Sequence, residues 1–334
     1  MPFKEKVISI LPIKYITISK DYPLDYCLPV YHTVSDRDLP HLKHIIRYKN
    51  KKQFLADLDV LSKNFQWVTW DEFKDFVQGK FKAKKKVALL TFDDGLRDFK
   101  EVVAPILYEK GIFAINYINP QFVDNHDLSF RCKASLLVDV LLKSKTIHPE
   151  IFNLLGFKQE NPKKIAAKIL SISYANQSVL DGLAPLVNVN FSEFLKQEKP
   201  YLSFAEIQDL SKLGFQFGAH SWDHPLYGEL NLEEQLWQSQ NCFEYLKTEG
   251  LHTESFAFPF TDFGVEKVFF DALFSREPDL FCTFGAAGIK LDSIERNFHR
   301  IPMENGKGAE EILKEEIAYF RVKKLFGKNT IFRR

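Results

Sequence analysis

Cysteine is scarce in this chain. Its 334 residues carry four, Cys27, Cys132, Cys242 and Cys282, scattered without paired spacing. That pattern argues against a disulfide framework and against a cysteine-built metal site. Net charge is nearly absent as well, at +1, so no global field steers the chain toward nucleic acid or an acidic polymer. No nucleic-acid motif accompanies its short basic stretches. Long apolar runs are missing too, and no segment approaches the length needed to cross a bilayer. The opening Met1 to Lys6 leads into a short apolar stretch, Val7 to Ile13, that Lys14 cuts off. It lacks the uninterrupted apolar region and the small-residue cleavage site of a secretory leader, which sets the expectation of a cytoplasmic protein. What remains is ordinary globular composition with 32 phenylalanines. The length suits one large α/β core folded as a single domain over residues 1–334.

Against that plain background, Thr91-Phe92-Asp93-Asp94-Gly95 stands out. It follows the apolar run Val87 to Leu90, which reads as a short buried strand after Lys84-Lys85-Lys86. Two adjacent carboxylates at the end of a buried strand repel each other unless positive charge sits beside them. A metal ion answers that need, with one carboxylate as ligand and the other free as a base. Far downstream, Gly218-Ala219-His220-Ser221-Trp222-Asp223-His224-Pro225 offers two histidines four apart, again just after an apolar stretch. One Asp and two His make three protein ligands, the stoichiometry of a catalytic zinc-type site with a position open for water. Alone, Asp-Asp-Gly after a strand is a common turn, and a His pair is weak evidence. Their pairing in one chain, each at a strand end, is the signal.

These motifs resemble those of the NodB-homology polysaccharide deacetylases, carbohydrate esterase family 4. The first family motif is similar to Thr91 to Gly95 and the second to His220 to His224; the third, ending in Pro-Tyr/Phe, is similar to Phe256-Ala257-Phe258-Pro259-Phe260. The resemblance runs from about Cys27 to about Met303. It implies Asp94, His220 and His224 as metal ligands, Asp93 as general base, and Pro259 with the backbone N–H of Phe260 as an oxyanion and substrate pocket. The implied cofactor is one divalent ion, Zn2+ first, with Co2+, Ni2+ or Mn2+ as alternatives, since a mixed carboxylate and imidazole site accepts several. The segment Tyr31-His32-Thr33-Val34 is similar to the opening of the poly-N-acetylglucosamine deacetylase-like branch, which makes His32 the candidate general acid. In other branches the acid is a late histidine, and His299 is then the competitor. The family's usual base-orienting arginine has no counterpart in Phe256 to Phe260, and Arg300 is the candidate to fill that role from another strand.

Helices and strands alternate along the chain. Apolar Phe54, Leu55, Leu58 and Leu61 mark a core-facing helix. Thr69 with Glu72, Ser203 with Glu206 and Asn231 with Glu234 are capping-box pairs that start three more. Strands are expected at Phe113 to Ile118, just before His220, and over Ser255 to Phe258, Leu280 to Phe284 and Arg300 to Met303. Repeated βα units with the reactive residues at strand ends predict a parallel barrel, with an open doubly wound sheet as the plain alternative. The resemblance implies a distorted (β/α)7 NodB-type barrel. Residues 128–200 read as an inserted helical subdomain, with helices at Ala134 to Leu142, Pro149 to Leu155 and Pro162 to Ile172. Arg131 and Lys133 near its start read either as anchors for a substrate anion or as ordinary surface charges.

Residues 319–334 form a basic tail in which Arg321, Lys323, Lys324, Lys328, Arg333 and Arg334 mix with Leu325, Phe326, Ile331 and Phe332. Such a segment suits peripheral contact with the anionic inner membrane face. The competing expectation is that its apolar residues dock on the barrel. The activity implied is removal of N-acetyl groups from amino sugars of a poly- or oligosaccharide or a lipid-linked glycan. Alternatives are hydrolysis of another amide or ester (an N-formyl sugar, an O-acetyl sugar, a cyclic ureide) or glycan binding by an impaired enzyme.

Overall fold

The computed structural model describes residues 12–334, so most of the stretch read as non-secretory lies outside the described residues. Seven stretches of chain build the central sheet. They are β1 Pro29–Tyr31, β2 Leu90–Asp93, β3 Ala114–Ile118, β4 Gln216–Ala219, β5 Ser255–Ala257, β6 Cys282–Gly285, and a last one broken into β7 Asn297–His299 and β8 Ile301–Pro302. Nearly every residue in them is buried, as expected of parallel strands covered on both faces.

The spatial order is β7-β6-β5-β4-β3-β2-β1-β8, and every neighbouring pair is parallel. The two edge segments, β7 and β8, are one piece of chain interrupted at Arg300. The Arg300 N–H donates to the Gly285 carbonyl at 2.9 Å and the Ile301 N–H to Leu28 at 2.8 Å. One broken strand therefore joins both edges of the sheet. The ring is closed with seven strands, and the open-sheet alternative is set aside. Helices surround this barrel, and all three predicted capping boxes form with both of their hydrogen bonds, opening the helices Trp70–Val77, Phe204–Lys212 and Leu232–Thr248.

Between β3 and Phe204 the chain forms the helices Phe130–Lys143, Pro149–Leu155, Pro162–Leu170 and Phe191–Glu198, among shorter turns. Leu137, Ile151, Ile165, Ile169 and Leu180 form a cluster there that is separate from the barrel core. Lys133 pairs with Asp127 at 3.2 Å and Asp181 at 3.3 Å, an ordinary surface role.

The segment 319–334 packs onto the protein in part. Residues up to Leu325 complete the helix Ala309–Leu325, and Thr330–Ile331 then pairs in parallel with Leu291–Asp292. Arg333 is carried into the protein, with a side chain only 3% exposed. Two carboxylates waiting there explain why it docks. Leu325, Phe326 and Phe332 stay exposed. No helix among the described residues is long and apolar enough to cross a membrane. The four cysteines are unpaired and buried.

Candidate active site

The C-terminal ends of the barrel strands bring the two sequence motifs together. Strand β2 ends at Asp93, and the chain turns at Asp94 with φ 74° and Gly95 with φ 63°. The Gly95 N–H is held by the Asn116 side chain at 3.2 Å. Strand β4 ends at Ala219, and His220 follows it directly. The loop beyond has Ser221 at φ 70° and His224 at φ 68°, with the His224 N–H donating to Ser221 Oγ at 3.0 Å. Asn119 stitches this loop by donating to the carbonyls of His220 at 2.5 Å and Ser221 at 3.1 Å. Non-glycine residues in the left-handed region each cost on the order of 1–3 kcal/mol and persist where surrounding bonds hold them. Their concentration at Asp94, Ser221, His224 and Phe260 (φ 56°) marks this end of the barrel as a built site.

Asp94, His220 and His224 converge. Asp94 Oδ1 lies 3.1 Å from His224 Nε2 and 3.5 Å from His220 Nε2. All three ligand atoms are buried without any hydrogen-bond partner, and together they suit a metal ion. Ligand atoms placed tetrahedrally at about 2.0–2.2 Å from one ion would stand roughly 3.2–3.6 Å apart, so the cradle fits a small divalent cation. Behind the cradle, His220 Nδ1 lies 2.7 Å from the Ala257 carbonyl. That bond fixes the ring so that Nε2 presents its lone pair inward. Burial works against charge on Asp94, yet the His224 and His220 rings hold its carboxyl well below the usual range.

Asp93 is gripped differently. Arg300 Nη1 and Nη2 donate to its two oxygens at 2.6 and 2.7 Å, a two-point fork. Burial raises the cost of charge on Asp93, but the Arg300 guanidinium outweighs it and the net shift is downward. The arginine absent from the third motif is thus supplied by the break between β7 and β8. Arg300 and its neighbour His299 meet different partners. The His299 ring is fully buried with Nε2 3.0 Å from Asp292. His299 is thus engaged with Asp292, whereas His32 stands on the rim with Asp94. Replacing Arg300 by alanine would leave a buried carboxylate uncompensated, at a cost of about 3–5 kcal/mol. Urea unfolding of Arg300→Ala measures this, and a loss in the surface-pair range of about 0–1 kcal/mol would contradict the grip.

His32 stands at the end of β1 on the same rim. Its Nδ1 lies 2.6 Å from Glu304 Oε2, whose other oxygen accepts from the Thr33 N–H at 3.2 Å. Burial disfavours charge on the ring, but the Glu304 carboxylate, with Asp94 and Asp93 behind it, raises His32 to about 9. Glu304 escaped the sequence reading, and its only signal was an acid one residue past the last expected strand. The Phe260 ring packs on His224 with centroids 4.5 Å apart. Phe130 and Arg131 of the inserted helices reach it at 6.3 and 6.0 Å. Arg131 Nη1 also donates to the Leu170 carbonyl at 2.5 Å.

Solved structures share this fold. A deacetylase, PplD, from Streptococcus pyogenes in complex with acetate is 13% identical with TM-score 0.56, over 87% of this chain and 97% of that one. IcaB from Ammonifex degensii is 14% identical at TM-score 0.54, with the same coverage of both chains. A de-N-acetylase from Aggregatibacter actinomycetemcomitans is 14% identical at 0.53, over 86% and 99%. No curated protein sequence matches this chain. The family model of polysaccharide deacetylases matches residues 80–268, more than half of the chain and both motifs of the site. This protein therefore belongs to the polysaccharide deacetylase family and is a hydrolase that deacetylates glycans.

Proposed function

We propose that this hydrolase removes N-acetyl groups from amino sugars of a poly- or oligosaccharide or a lipid-linked glycan, with one divalent ion, Zn2+ first, held by Asp94, His220 and His224. One observation carries the reading. A carboxylate clamped by Arg300 sits beside three convergent, unpartnered ligand atoms, with His220 Nε2 3.8 Å from Asp93 Oδ2. Asp94, His220 and His224 would hold a divalent ion there, and it would supply Lewis acidity toward the acetyl carbonyl and the attacking water. Asp93, kept ionised by Arg300, accepts the proton of the attacking water. The Phe260 N–H, next to Pro259, donates to the carbonyl oxygen as negative charge gathers on it. His32, held protonated by Glu304, delivers a proton to the departing sugar nitrogen, without which an amine leaves very slowly. Acetate and a free amino sugar result.

The amide reading is favoured over an ester because an alkoxide needs less help in leaving than an amine, and His32 is tuned to carry a proton. Hydrolysis of an N-formyl sugar or a cyclic ureide, and glycan binding alone, remain outcomes of the test. Hydrolysis is measured over a panel of N-acetyl, N-formyl and O-acetyl saccharides and a cyclic ureide, before and after chelation and after adding back Zn2+, Co2+, Ni2+ or Mn2+. Release from N-acetyl sugars that chelation abolishes and an added ion restores is expected. Release indifferent to chelation would overturn the proposed site. A cytoplasmic setting and peripheral membrane contact through Leu325, Phe326 and Phe332 are separate proposals, and none of these roles depends on them.

A further inference from the structure

Beneath the active-site loop lies a second cluster of buried charge. Asp262, Asp292 and His299 are spaced so that they, too, suit a cation. Their side chains are 1%, 0% and 0% exposed. Yet positive charge is already supplied from within the chain. Arg333 Nη2 donates to Asp292 Oδ2 at 2.6 Å and also to Asp262 Oδ2, while Nε reaches Asp292 at 3.2 Å. Its Nη1 donates to the backbone carbonyls of Asp262 at 2.5 Å and Val265 at 3.3 Å. Asn297 Nδ2 completes the cluster at 2.8 Å from Asp262 and 3.0 Å from Asp292. Gly285 opposite has no room for a side chain, since a Cβ there would stand 2.4 Å from Asp262 Oδ1.

Two parts of the reaction machinery rest on this cluster. Asp262 is two residues beyond Phe260, which holds φ 56°, a conformation a phenylalanine does not keep unaided. His299, bonded to Asp292, directly precedes Arg300, which grips Asp93. We propose that Arg333 is a positioning residue. Its guanidinium pins the loop from Pro259 to Val265, so that the Phe260 N–H stays aimed where the oxyanion forms, and it steadies the strand that carries Arg300. A planar fork that bonds two carboxylates and two carbonyls at once is what a lysine cannot reproduce. The catalytic part of this inference rests on the deacetylase reading above; the mechanical part does not.

The test uses the full chain loaded with Zn2+. Arg333→Ala is expected to lower kcat on an N-acetyl sugar by 10- to 100-fold, with KM and Zn2+ affinity within about threefold of wild type. Added ethylguanidinium should restore several-fold of the loss. It has a way in, through a cavity of about 680 Å³ lined by Thr261, Phe263, Ile331, Phe332 and Arg333. Hydrogen exchange should quicken at the amides of residues 260–265 and stay unchanged in β2 and β4. Should the alanine variant not fold, Arg333→Lys takes its place, and it is expected to show the same exchange and a smaller fall in kcat. Wild-type kcat and exchange in either folded variant would overturn the proposal. A wild-type enzyme without deacetylase activity, but with exchange that still depends on Arg333, would instead overturn the reading of the reaction and leave the strap standing.

Discussion

Replacing Asp93 with asparagine is expected to leave the divalent ion in place and remove nearly all turnover, on the order of 10²–10⁴-fold in kcat. The two neighbouring carboxylates occupy different surroundings although one strand end delivers both. Asp94 faces two imidazole nitrogens and Asp93 faces a guanidinium fork. Only the first lies in the cradle, so an amide at position 93 removes a proton acceptor without removing a ligand. His220→Ala makes the contrast, because it takes away a ligand atom and should lose ion and activity together. Elemental analysis after desalting, alongside acetate release, separates the two. Near wild-type turnover in Asp93→Asn would falsify the base assignment. Loss of the ion in that variant would place Asp93 among the ligands instead.

His32→Gln is expected to cost about 10²–10⁴-fold on an N-acetyl sugar and far less on an aryl acetate, whose leaving group departs without a proton. An equal loss on both substrates would show that His32 binds or shapes the site rather than donating a proton. Glu304 provides the finer test. Burial pushes the His32 ring toward neutrality, and the carboxylate 2.6 Å from Nδ1 overrides it, to about 9. The acid is the protonated ring, so activity should fall as pH rises through its pKa, with a bound cation drawing that limb somewhat lower. Glu304→Gln removes the opposing charge and leaves the burial. The alkaline limb of kcat/KM should then move down by about one pH unit or more. A limb that stays put would assign that ionisation to another group. Linkage gives the same residue a second signature in the ion-free protein. A folded pKa above the unfolded value of about 6.5 stabilises most below that pH, and the contribution is lost as pH rises through about 9. The ion-free protein should therefore lose thermal stability over that window, and Glu304→Gln should flatten the slope.

Much of this was legible along the chain because it depends on short-range rules. The capping boxes at Thr69, Ser203 and Asn231 are contacts between residues three apart, and all three form. Asp94, His220 and His224 could be singled out because a cation needs a fixed number of donors, and strand ends put them on one rim. The fate of 319–334 was not legible. Basic residues among apolar ones describe a membrane-seeking segment and a docked strap equally well until the partners Asp262 and Asp292 are located.

Sequence by itself determined the parallel βα architecture, which follows from local periodicity, and it singled out Asp93, Asp94, His220 and His224 as residues of one site, with the roles of the two carboxylates set only by the family resemblance. Only the tertiary structure placed His32 on the active-site rim and His299 against Asp292, brought Arg300 to Asp93 and Glu304 to His32, and drew Arg333 under the active-site loop. Those outcomes turn on which side of a strand a residue faces and on what lies across the barrel. Charges separated by 207 positions, as Asp93 and Arg300 are, meet only when the ring closes.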